Sequence, residues 1–84
     1  MLQKIIENYP EYEIMVCDGF DDCILGYDFS NGDYIRLIYS VKKVIDKLIK
    51  EEDMDEIDAI EYFEYNMRGA YVGETTPIWC QDNL

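Results

Sequence analysis

The chain has 84 residues, 49% of them hydrophobic and 14% aromatic, with nineteen Asp and Glu against seven Lys and Arg, no histidine and a formal net charge of −12. That length allows one domain with one core, which buries only about 60–65% of its unfolded surface and is expected to be marginally stable or oligomeric. The composition is too apolar for disorder and no apolar run reaches the roughly 18 residues of a membrane span, while so negative a field repels phosphate backbones and anionic lipid; neither membrane association nor direct nucleic-acid binding is expected.

Leu2, Ile5 and Ile6 recur at helical spacing up to Asn8, and Pro10 stops the pattern, which predicts a short N-terminal helix lying on the core. From Tyr12 to Cys17 apolar residues alternate in the manner of a first strand, and Asp18-Gly19-Phe20-Asp21-Asp22 breaks it. Cys23 to Phe29 reads as a second strand. Within it Gly26 permits a bulge or a close approach of another backbone, with the segment around Gly73 as the candidate. Ser30-Asn31-Gly32-Asp33 predicts a tight type I′ hairpin into a third strand from Tyr34 to Tyr39. A sheet of this size needs helices on one face.

Ser40 supplies an N-cap oxygen, and Val41, Val44, Ile45, Leu48 and Ile49 form an amphipathic stripe behind it. Lys42, Lys43, Lys47 and Lys50 occupy the other side, as a solvated face or, alternatively, a docking patch. After the acidic connector Glu51-Glu52-Asp53, Asp55 and Asp58 make a weak capping box for the last helix. Ala59, Ile60, Phe63, Met67 and Ala70 share one of its faces, with Tyr62 and Tyr65 on the flank, and Gly69 is placed to end it as a left-handed cap. Tyr71 to Pro77 then crosses the surface as turn or short strand, and Ile78 and Trp79 anchor the tail. Residues 1–84 therefore read as a single α+β domain: a three-stranded antiparallel meander packed on one face by two helices, with a short N-terminal helix.

Cys17, Cys23 and Cys80 are an odd set without a CxxC pair, which argues against a disulfide framework, and with no histidine a zinc site is not expected. The N-terminus enters an amphipathic pattern unlike a signal peptide, so a cytoplasmic protein with reduced cysteines is expected. No cofactor motif is present, and Cys17 and Cys23 lack a histidine base for nucleophilic chemistry.

The pieces Phe20-Asp21-Asp22-Cys23-Ile24-Leu25-Gly26, Ile60-Glu61-Tyr62-Phe63-Glu64-Tyr65-Asn66 and Gly69-Ala70-Tyr71-Val72-Gly73-Glu74-Thr75-Thr76-Pro77 resemble a family of small proteins of tailed bacteriophages and some bacteria. In that family FDD-x-x-x-G precedes a helix ending in EYF-x-x-N and then GAYVGE-x-TP. The family has no assigned activity, so the resemblance implies a phage context, hence a host cytoplasm, and a shared site without naming a reaction. The acidic excess and Cys80 fall outside the pattern.

The candidate binding residues are Asp21, Asp22, Tyr62, Asn66, Tyr71, Gly73, Glu74 and Thr76. Paired carboxylates with an amide oxygen suit Mg²⁺ or Ca²⁺, although a chain with nineteen acidic residues offers such sets by chance. The structural alternative has Asp22 capping a turn, Asn66 tied to the backbone of the tail and Glu74 held by Arg68 or a lysine. Tyr62, Tyr65, Tyr71 and Trp79 would make an aromatic surface, with core packing of at least two of them as the plainer expectation. Two function classes follow. The first is a phage-encoded acidic interaction protein that binds and modulates a host or phage protein, including counter-defence by nucleic-acid mimicry, or assembles as a homo-oligomer. The second is a small-ligand- or metal-binding protein with its site at Asp21, Asp22, Asn66 and Glu74.

Overall fold

Pro10 does end the first helix: in the computed structural model, which describes residues 1–83, α1 runs Leu2–Asn8 and buries Ile5. Leu84, included in the single-domain reading, lies outside the described residues. Beyond α1 the chain does not form the expected strand at 12–17. It is irregular, with Ile14 and Val16 half-buried against the core, and it is attached by single contacts instead of a ladder. The Cys17 N–H donates to the Tyr39 hydroxyl at 2.8 Å. Tyr9 and Tyr12 meet Phe29 edge-on at 5.3 and 5.1 Å, and Tyr9 shares a 2.8 Å hydroxyl–hydroxyl bond with Tyr27.

A 3-10 turn over Asp21–Cys23 leads into β1, Ile24–Asp28. The register slips between Ile24 and Gly26, so Gly26 marks a bulge. A Cβ there would meet nothing within 4 Å, which removes the expected approach of the Gly73 segment. Residues 29–35 connect β1 to β2, Arg36–Ser40, in place of a two-residue type I′ hairpin. Gly32 takes φ +79° but Asn31 is not at positive φ. The Asn31 side-chain oxygen instead accepts from the N–H groups of Asp33 and Tyr34, each at 2.8 Å, which fixes a wider loop.

The third strand is β3, Ile78–Cys80. It runs parallel to β2, with Ile38 opposite Ile78 and Ser40 opposite Cys80, while β1 pairs antiparallel on the other edge. The sheet is thus mixed, and the antiparallel meander is corrected: both edges of β2 are taken, leaving 12–17 no place beside it. The parallel pair is joined by the helical crossover that parallel strands require.

Ser40 closes β2 and caps α2, Val41–Glu51, accepting from the Lys43 N–H at 3.0 Å. Val41, Val44, Ile45 and Leu48 are buried and Ile49 half-buried, as the stripe predicts. Asp53 at φ +56° turns the chain at the helix end, and Asp55 caps α3, Glu56–Phe63, through the Asp58 N–H at 2.8 Å. The helix does not stop at Gly69. It passes into a π-helical turn, Glu64–Arg68, and Gly69 sits at φ −75°, so the left-handed cap is absent. The residue that needs positive φ is Gly73, at +94°.

One buried cluster draws on every part of the chain: Ile5, Cys23, Ile24, Ile35, Leu37, Tyr39, the α2 stripe, Ala59 and Phe63. Trp79 seals it from β3, its ring 5.3 Å from Tyr39 and 5.1 Å edge-on to Phe63. No helix among the described residues is long and apolar enough to cross a membrane. Because Trp79 joins β2, β3 and α3 at once, Trp79→Ala is expected to cost about 3 kcal/mol by urea denaturation, at the lower end for a large aromatic because the ring is half-buried. A loss under about 1 kcal/mol would show that β3 is not part of the cooperative unit.

The tail is fixed by Asp82, whose carboxylate accepts from the buried Ser40 hydroxyl at 2.5 Å and from the Lys42 N–H at 2.9 Å. These bonds, the Ser40 bond foremost, hold the Asp82 carboxyl below its usual range. A depressed carboxylate contributes stability that is complete above its unfolded value of about 3.9 and is lost as pH falls through the folded one. Asp82→Asn is therefore expected to lower stability at neutral pH and to flatten the acid limb of the urea midpoint from roughly pH 5 downward, through the depressed folded value. Parallel profiles for variant and parent would dismiss the Ser40–Asp82 link.

Candidate functional site

The sequence-predicted residues separate into several surfaces. Asp22 leaves the 3-10 turn toward α2, where its carboxylate meets the Lys47 ammonium at 2.9 Å, and Lys47 also pairs with Glu51 at 3.2 Å. The Lys47 hydrogen bond holds the Asp22 carboxyl below its ordinary range. Asp22 thus belongs to a concavity bordered by Lys43, Lys47 and Lys50, and Asp21 beside it is exposed.

Glu74 lies elsewhere, lining a polar hollow with Glu11, Glu13, Asp33 and Tyr34. Its carboxylate raises the pKa of the Tyr34 phenol, first by hydrogen bonding and then by charge. Arg68, one of the partners expected for Glu74, instead pairs with Glu64 at 3.3 Å, lies 5.1 Å over the Phe63 ring and bonds Gln81. Gly73 and Thr76 are structural: the Thr76 hydroxyl donates to the Gly73 carbonyl at 2.6 Å and accepts from the Val72 N–H at 3.0 Å. Arg36 Nε donates to the Thr76 carbonyl at 2.7 Å, tying this turn to β2. Tyr71, Gly73, Glu74 and Thr76 together border a second hollow with Arg36 and Tyr34, so these four predicted residues are brought together, apart from Asp21, Asp22, Tyr62 and Asn66.

Asn66 donates to the Tyr62 carbonyl at 3.2 Å, within the helix and not to the tail. It also lines an apolar groove of about 270 Å³ together with Cys17, Phe20, Met67, Val72, Pro77 and Trp79. The indole N–H of Trp79, one of the lining residues, is buried and makes no hydrogen bond among the described residues, although buried N–H groups are nearly always paired. Phe20, Ala70, Val72 and Pro77 stand in the motif pieces singled out in the sequence, whereas residue chemistry alone does not indicate this groove.

Asp22, Asn66 and Glu74 accordingly line three different concavities. No group of three or more Cys, Asp or Glu side chains among the described residues is placed to hold a metal ion. Of the four aromatic candidates, Trp79 packs on the core while Tyr62, Tyr65 and Tyr71 are exposed; the expected burial of at least two is corrected, because none of these three rings packs against the buried cluster. No protein-family model, curated protein or solved structure matches the chain.

The cysteines are unpaired. Burial, and then the Asp22 charge, pushes the Cys23 thiol up to about 11, and burial also raises Cys17. Both are therefore weak nucleophiles at neutral pH. Alkylation of the native chain near neutral pH, followed by mass spectrometry of peptides, is expected to leave Cys23 unmodified until urea unfolds the protein. Labelling at the rate of a free peptide thiol would show that the start of β1 opens readily.

Proposed function

We propose that this chain is a phage-encoded, acidic interaction protein that acts in the host cytoplasm by binding and modulating a host protein. The observation that carries the reading is the exposure of Tyr62, Tyr65 and Tyr71, by 42%, 83% and 78%, within one stretch of a chain of net charge −12. Tyrosine buries much area at an interface for little conformational entropy, so it is a favoured anchor. The negative field speeds encounter with a basic partner and opposes both self-association and nucleic-acid binding. The motif resemblance supports the phage context, and counter-defence by imitating the charge of a nucleic acid is its most specific form. In this reading α2 and α3 cover one face of the sheet together, so that α3 presents its outward side to the partner.

A second reading, a small-ligand protein, draws support from the groove beside Asn66 and the unpartnered Trp79 N–H, in place of the dispersed Asp21, Asp22, Asn66 and Glu74 set. One experiment separates the two. The tagged chain is recovered from host lysate without chelators and weighed by native mass spectrometry. A protein partner that is released by salt and lost with Tyr71→Ser is the expected result. A small retained mass lost with Asn66→Ala would replace the interaction reading with the ligand one, multiples of the chain mass would make it a homo-oligomeric module, and a bare chain would remove both readings.

A further inference from the structure

Ala59 and Phe63 point the inner side of α3 into the core. At about 100° per residue this leaves Ile57, Asp58 and Glu61 on the outer side and Tyr62 on the flank, with Tyr65 following one turn beyond Glu61. Ile57 is 69% exposed and Tyr65 83%, so two large side chains spaced one helical turn on either side of Glu61 gain little from the fold itself. The ion pairs among the described residues are Lys42–Asp46, Lys47–Asp22, Lys47–Glu51 and Arg68–Glu64, so Asp58 and Glu61 pair with no cation among those residues. Apolar anchors interleaved with unneutralised carboxylates complement a helix that carries aliphatic side chains on one stripe and Lys or Arg beside it. The same face of a second copy is a poor occupant, because it would oppose like charge to like, and two chains of net charge −12 repel one another. The face also ends in a π-helical turn, a feature that recurs at functional sites.

We infer that the outer face of α3, centred on Ile57, Glu61 and Tyr65, docks a basic amphipathic helix of the partner protein. The inference rests on the interaction reading above and names its surface and the chemistry of its partner. The probe is a synthetic Leu/Lys peptide of roughly 18 residues, long enough to be helical, beside an isomer of the same composition with its stripe scrambled.

Titrated into ¹⁵N-labelled chain, the striped peptide is expected to shift the amides of residues 56–66 and to bind more tightly than the scrambled isomer. Ile57→Ala combined with Tyr65→Ala weakens it about tenfold at unchanged thermal stability. Shifts centred instead on Glu11, Asp33 and Glu74, equal affinity for the two peptides, or an unaffected double variant would overturn the inference. Recovery from host lysate separates its failure from that of the parent reading. A partner held by the parent chain and lost by the double variant supports this face; a partner held equally by both overturns the face while the interaction reading stands; none with either overturns both.

Discussion

Tyr39 is the constraint on which the arrangement depends. It is fully buried at the centre of the sheet, and a buried phenol needs both apolar contacts for its ring and a hydrogen-bond partner for its hydroxyl. The ring lies against Trp79, which in turn meets Phe63, and the hydroxyl receives the Cys17 N–H. One side chain in β2 thereby sets the positions of the N-terminal segment, the C-terminal strand and the last helix. Burial raises the pKa of its phenol, so the contact is neutral across the physiological range.

Local chemistry makes the helices legible in the sequence. Pro10, the caps at Ser40 and Asp55, and the α2 stripe all act within a few residues of where they stand. Strand pairing does not. The alternation at 12–17 records partial burial, whereas the true third strand is three residues long and carries no pattern of its own; it is chosen by the contact of Trp79 with rings distant in sequence. The same distinction separates Gly69 from Gly73. Both are glycines near the end of a helical stretch, but the π-helical turn carries the first through in ordinary helical geometry and transfers the reversal to the second.

The candidate site is legible as a motif and not as a chemistry. Its carboxylates read as a set because they stand near conspicuous residues in the sequence, and the fold sends them to separate surfaces, where Asp22 is neutralised by Lys47 and Glu74 borders other acidic residues. The tyrosines go the other way. Helical periodicity places Tyr62 and Tyr65 on the flank of the last helical stretch, and both are exposed among the described residues. Ile57 draws no notice in the sequence because it falls off the apolar stripe, which is also the reason it stands on the outer face.

The fold depends most on β3, held by the Tyr39–Trp79–Phe63 contact, completing the sheet in place of the N-terminal segment. Hydrogen–deuterium exchange of the free chain, resolved by residue, tests this directly. Slow exchange is predicted within 36–40 and 78–80, with the amides of 13–16 exchanging quickly, while Tyr12, bonded to the Tyr9 carbonyl, and Cys17, bonded to Tyr39, are retarded. Slow exchange across 12–17 together with rapid exchange at 78–80 would contradict this arrangement and restore an antiparallel meander.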